Sequence, residues 1–206
     1  MDKRSILELM NPQELIVEQI GAALETFHMA AESLSELLEQ TADAVTECLL
    51  QDGKIVVGGM GASGATGAIF TAGMQSCFER DRPSLPAIML SNDGIITSAI
   101  AHDSGPADIY ARQVRSICHA PDILLILSSN GNASALIKAI QAAHDQGVCV
   151  VALTGGNGGD VASVLEGDDI ELRVEYDRPG HVQLAHHLIL NCLVELVENS
   201  IFGHEL

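Results

Sequence analysis

Apolar positions along the chain follow two rules, and the change between them falls near residue 53. Before it, Leu15, Ile16, Ile20, Ala23, Leu24 and Phe27 recur at helical spacing, and Leu34, Leu37, Leu38, Val45 and Leu49 repeat the pattern over Ala31 to Leu50. Asn11-Pro12 supplies a cap and a first turn. These stripes predict two helices. Beyond Gly53 the apolar residues gather into short unbroken runs: Ile55–Val57, Ala87–Leu90, Ile123–Leu127 and Val148–Leu153, with Ile170–Val174 reading as an edge strand. Helical patterns at Ser63–Phe78, Asp108–His119, Ala133–Gln146 and Asp160–Leu165 separate them, and Pro179 opens a last helix to about Phe202. Strand and helix in alternation predict an α/β layer on a parallel sheet. Residues 1–51 are then a helical segment packing on a domain that spans 52–206.

In such a sheet, ligands bind where the strands end. Three loops have suitable chemistry there: GGMGASG after the first strand, SSNGNAS (Ser128–Ser134) after the third and TGGNGGD (Thr154–Asp160) after the fourth. Each leads into a helix start, where backbone N–H groups favour an anion. Gly59 to Gly64 fits GxGxxG. A dinucleotide site also needs an acid closing the next strand, but Glu79 and Asp81 precede that strand and Asp93 lies too far on. No GK[ST] follows, which excludes a Walker loop. Ser128, Ser129 and Asn130 offer hydroxyl and amide groups without a cation. Two readings are open for them: a phosphomonoester held by neutral hydrogen bonds, or a strand-to-helix turn with a capping side chain. Ser63 in the first loop favours the sugar-phosphate reading.

Charge narrows the partners. The chain of 206 residues carries 28 acidic and only 10 basic residues, a formal charge of -18, so direct binding to a phosphate backbone is excluded as a main activity. The acidic surface suits a basic partner. Five cysteines without CxxC spacing read as buried thiols, not as a zinc or disulfide framework. No membrane span and no leader-like N-terminus is evident, which predicts a soluble cytoplasmic protein.

The segments GKIVVGGMGASGA, RPSLPAI, AHDSGPADIYARQV, DILLILSSNGNASALIKAIQAA and VVALTGGNGGDVA resemble the sugar isomerase (SIS) domain, and more narrowly its phosphoheptose isomerase branch. The resemblance runs from about Gly53 to the C-terminus. It implies a five-stranded parallel sheet between helices, a homotetramer, and interconversion of sedoheptulose 7-phosphate with a heptose phosphate. It also implies a zinc ion held by a His and a Glu four residues apart on the helix after the first loop, at the positions of Ile69 and Gly73. A Gln and, eight residues later, a His complete the implied site. Gln183 is retained, the later position is Asn191, and an Asp three residues before the Gln is Gly180. Aldose–ketose isomerisation needs a base for a carbon-bound proton and an acid at the carbonyl oxygen. Ile69, Gly73 and Asn191 provide neither, so no metal and no cofactor is expected.

The implied sugar-phosphate contacts survive better. Ser63, Ser128 and Ser129 match phosphate-contacting serines, and Gly61 keeps the close backbone approach. Asn130 and Ala133 replace serines, while Met60 and Ala62 depart from the usual Asn and Gly. Asp103, beside His102, matches an Asp that faces the sugar, and is equally at home as a turn former before Gly105-Pro106. His187 shares a helix stripe with Gln183 and Asn191; it reads as a replacement base or as a structural histidine, as do His181 and His186.

Within the branch, RPSLPAI, YARQVRSICHAPDILL and NCLVELVENSIFGHEL are similar to the initiator-associating group. These are non-catalytic tetramers that hold copies of the bacterial replication initiator DnaA. The resemblance implies an adaptor that binds a DnaA-type initiator, with a vestigial sugar-phosphate pocket. Ile201 and Phe202, ending the last helix, are candidate partner-binding residues or simply pack on their own subunit. The alternatives left open are a divergent phosphoheptose isomerase and a sugar-phosphate-sensing regulator.

Overall fold

The computed structural model describes residues 11–91 and 93–203; the first ten residues, on which the expectation of no leader rests, and the polar tail at 204–206 lie outside them. Helix α1 runs Pro12–Leu50 and is capped by Asn11, whose side chain accepts from the Gln13 N–H. The two helices expected here are one. No proline or glycine interrupts residues 22–50, and Thr26, Ser33 and Thr41 turn their hydroxyls back onto carbonyls four residues earlier (2.7–2.8 Å), so nothing leaves the helix there.

Then follow β1 (Ile55–Gly59), α2 (Gly61–Gln75), β2 (Ala87–Met89), α3 (Gly94–Ser104) and a 3₁₀ turn (Pro106–Asp108). The rest comprises α4 (Ala111–Ile117), β3 (Ile123–Leu127), α5 (Ser134–His144), β4 (Cys149–Gly155), α6 (Gly159–Val164), β5 (Ile170–Val174) and α7 (Pro179–Phe202). All strand pairs are parallel in the order β2-β1-β3-β4-β5, with β5 at the edge as expected. Helix α3 has no counterpart in the hydrophobic pattern, because none of its residues is buried. The expected helix from Asp108 is shorter, the 3₁₀ turn occupying its start.

Side chains of the central strands alternate between two cores. Ile55, Val57, Ile123, Leu125 and Leu127 point to the face covered by α1, α2 and α7. Val56, Leu124, Ile126, Val150 and Ala152 point to the face covered by α4, α5 and α6. Burial on both faces is why these strands read as unbroken apolar runs. At the amino edge, Asp122 ties β1 to β3. Its fully buried carboxylate accepts from the Lys54 ammonium (2.6 Å), the Lys54 N–H (3.0 Å) and the His119 N–H (3.0 Å). Burial pulls that carboxyl upward, but these bonds outweigh it and hold it below the ordinary range.

All five cysteines are free. Cys48 and Cys118 are buried, and burial pushes each thiol up to about 11. Cys77 departs from the expectation: it follows the C-terminus of α2, outside any element that packs on the sheet, and is exposed. Among the described residues no helix is long and apolar enough to cross a membrane.

Candidate functional site at the carboxyl edge of the sheet

Strand order reverses between β1 and β3: the chain leaves β1 toward β2 on one side and continues from β3 to β4 and β5 on the other. The crevice outside the strand ends at such a reversal is where ligands sit in open α/β sheets. Gly59 pairs with Leu127 and Leu127 with Leu153, so all three loops leave the same edge side by side. Fully buried Tyr110 donates its hydroxyl to the Gly59 carbonyl (2.7 Å) and fixes the end of β1.

Gly61 takes a positive φ of 57° as the first residue of α2, and Met60 gives that helix no side-chain cap. Ser63 lies buried within the first turn. Ser128, also buried, spends its hydroxyl as a turn former, accepting from the Gly131 N–H at 3.0 Å. Gly131 is forced: φ is 68°, and a Cβ there would run into the Gly158 carbonyl of the third loop. Asn130 accepts from Asn132, and Asn132 from the Asp160 N–H (3.3 Å), so the second and third loops brace one another.

Two hollows open at this edge, and of the predicted site residues only Ser129 and Asn130 line one of them, a hollow of about 290 Å³ shared with Gly156, Asn157, Tyr176 and Asp177. The other, about 610 Å³, lies between Met60, the Ser104–Asp108 segment and the start of α5, and Asn132 borders both. The serine loop lacks a cation, but the second hollow has one: Lys138, paired with Asp108 at 2.7 Å. Exposed Asp103 precedes the lining residue Ser104. Gly61, Ser63, Ser128, Asp103 and Gln183 line neither hollow directly.

Gln183, His187 and Asn191 are half-buried one turn apart on α7, as their spacing predicts. The neighbouring histidines are structural in placement. His186 is buried, its Nε2 donating to the Thr154 carbonyl (2.9 Å); burial lowers it to about 4, so it is neutral. His181 is buried and stacked on Tyr176. Ile69 is 55% exposed, and a Cβ at Gly73 would meet only the Phe78 ring at 3.7 Å. There is room at both positions for ligating side chains, and neither residue carries one. Among the described residues no three His, Cys, Asp or Glu gather to hold a metal ion. The residues present do not fit the zinc that the resemblance implies.

A second cluster escaped the sequence reading. Buried Arg82 donates to Glu198 Oε1 (2.6 Å), to the Met74 and Pro83 carbonyls (2.8 and 3.0 Å) and to the Gly73 carbonyl (2.7 Å). Arg80 donates to the Gly203 carbonyl (2.7 Å) and to the Glu198 carbonyl, and lies 5.8 Å over the Phe202 ring. Two arginines within three residues, in a chain so poor in cations, were the available signal. Ile201 packs against the core, and Phe202 is 39% exposed.

A family model described as "SIS domain" matches residues 19–155. The DnaA initiator-associating protein DiaA of Enterobacter sp. (strain 638) is 41% identical over 183 residues, 89% of this chain and 93% of that protein. A phosphoheptose isomerase structure from Francisella tularensis superposes with a TM-score of 0.89 at 34% identity, covering 92% of this chain and all of the other. Phosphoheptose isomerase GmhA from Neisseria gonorrhoeae gives 0.86 at 31%, with the same coverage.

Proposed function

The chain belongs to the SIS-domain family, and within it we propose a non-catalytic adaptor: a homotetramer that binds a DnaA-type replication initiator and keeps a vestigial sugar-phosphate pocket. One observation carries the reading. Ile69, Gly73 and Asn191 stand where the resemblance places an isomerase's zinc-ligating and proton-moving groups, and none of the three supplies an imidazole or a carboxylate or can move a proton. The identity to DiaA over most of the chain supports the choice of partner. The bracing of the second loop by the third supports a pocket that outlives its chemistry. Gly61, Ser63, Ser128, Ser129, Asn130, Asp103 and Gln183 are the residues assigned to it.

The tetramer is supported by apolar surface left without cover in the single chain. Ile16, Ile20 and Leu24 on α1 are more than half exposed, as is Leu184 on α7. Between the two helices lies an apolar groove of about 200 Å³ lined by Phe27, Leu34, Leu38 and Leu188. A closed assembly presents the same initiator-binding surface several times and raises effective concentration without tighter single contacts.

The test pairs two measurements on the same preparation. Purified protein is expected to retain purified initiator through washes at moderate salt, and to leave sedoheptulose 7-phosphate unchanged with zinc supplied. Steady turnover at normal isomerase rates overturns the reading. The fold similarity to phosphoheptose isomerases and the placement of His187 favour turnover as the second reading, in which His187→Ala abolishes activity.

A further inference from the structure

Phe202 stands on the last turn of a 24-residue helix, a place where ends fray and a side chain loses a fixed direction. Here the end is held from outside. The Arg80 guanidinium forks onto the Glu198 carbonyl in the last turns of the helix and the Gly203 carbonyl just past its end, and it covers part of the Phe202 ring. Arg80 is in turn held by its loop, since Arg82 is buried between Glu198 and the end of α2. Arg80 is flanked by Glu79 and Asp81, both exposed. The arginine that covers the aromatic ring thus sits between two exposed carboxylates on its own loop, on a chain of net charge -18.

We infer that Arg80 is a positioning residue for partner binding: by holding the end of α7 it presents Phe202, with the exposed carboxylates of Glu79 and Asp81 on the Arg80 loop, to an apolar pocket with a basic rim on the partner. This rests on the adaptor reading above. An anchor that enters its pocket already ordered spends less of its contact energy on being fixed. Acidic neighbours steer a basic rim toward it and raise the association rate.

Binding of the full chain to purified initiator, measured by interferometry, tests this with Phe202→Ala, Arg80→Ala, Arg80→Lys and the Arg80→Ala/Phe202→Ala double variant. Phe202→Ala is expected to weaken binding about 30-fold or more, as loss of a central aromatic contact does. Arg80→Ala is expected to weaken it about five- to tenfold, with faster amide exchange at residues 199–203. The double variant should bind no worse than Phe202→Ala alone, because Arg80 acts through the ring. Arg80→Lys keeps the charge without the fork and should fall between Arg80→Ala and the parent; if Arg80→Ala does not fold, it takes that variant's place. Glu79→Lys/Asp81→Lys should slow association and flatten its salt dependence.

Full binding by Arg80→Ala, or losses that multiply in the double variant, overturns the inference and leaves the adaptor reading intact. Unchanged binding by Phe202→Ala also overturns it, by removing the anchor. No binding by the parent protein overturns the adaptor reading first.

Discussion

At its N-terminus, helix α2 begins with Gly61 at positive φ, an uncapped Met60 and a buried Ser63, under loops that meet through neutral hydroxyl and amide groups. At its C-terminus the same helix gives the carbonyls of Gly73 and Met74 to one buried arginine, itself paired with a buried glutamate on α7. Fifteen residues thus separate an end with spare hydrogen-bonding capacity from an end with almost none. The open end has the spare donors and acceptors that the proposed sugar-phosphate pocket would use. The closed end resembles the rigid mounting of an interface. In an isomerase of this branch the intervening helix is implied to carry the metal ligands; here Ile69 and Gly73 leave it chemically silent between the two.

The closed end should fail hardest when broken. Removing Glu198 by Glu198→Ala leaves the Arg82 guanidinium buried without its counter-charge, which costs about 3–5 kcal/mol. Thermal unfolding should show it as a fall of roughly 10 °C for a chain of this size. A midpoint within a degree or two of the parent would mean the pair is solvated and the contrast between the ends is false. Glu198→Gln, which keeps a hydrogen-bond acceptor, should lose less.

That network also marks the limit of what the sequence made legible. Arg82 and Glu198 lie 116 positions apart, and nothing in the local pattern of either announces the other. The strands were legible because burial on both faces turns them into plain apolar runs; α3 was not, since it buries nothing and so has no stripe. Its start carried a cap signal in Asp93, which accepts from the Ile95 and Ile96 N–H groups, a role consistent with its being too far on for a ribose acid. The loops of the candidate site were placed on the correct edge. The use of each hydroxyl was not foreseeable, because the Ser128 contact depends on how Gly131 meets the third loop in space.

The second test takes the open edge through His186, which sits behind the Thr154 carbonyl where β4 approaches the third loop. Its folded value of about 4 lies below the ordinary 6.5, so the native state resists protonation. The sign follows: stability is full above pH 6.5 and declines as pH falls from there toward 4, by about 3 kcal/mol in all. Urea unfolding across that range measures the slope, and His186→Gln should flatten it. The Asp122 carboxyl, also held low, contributes its loss only below the ordinary carboxylate range, so the two can be told apart. A slope that survives His186→Gln assigns the acid sensitivity to another group.

Within the open end, Gly131→Ala should cost about 2 kcal/mol or more, since a Cβ meets backbone at a positive φ and cannot be relieved by a rotamer. The more telling readout is local. Amide exchange in residues 155–160 should quicken while the Arg82–Glu198 end keeps its protection, because the two ends are joined only through the lengths of α2 and α7. If protection falls equally at both, these helices transmit strain end to end and the division between them is one of chemistry alone.

The smallest effect has the opposite sign. Gly73 is helical, at an ordinary φ, and a Cβ there finds the Phe78 ring at 3.7 Å, a normal contact. Replacing glycine by alanine in a helix interior gains about 0.5–1 kcal/mol, mostly by restricting the unfolded chain. Gly73→Ala is therefore expected to raise the unfolding midpoint by two or three degrees, leaving the proposed initiator binding untouched. The gain matters because of where it occurs. In an isomerase of this branch the resemblance places a metal-ligating carboxylate here, so the side chain's absence would be a chemical loss; in this chain its absence only weakens the helix. A destabilised Gly73→Ala would show that the missing side chain leaves space the protein uses, so that Gly73 serves the closed end through its lack of a side chain as well as through its carbonyl.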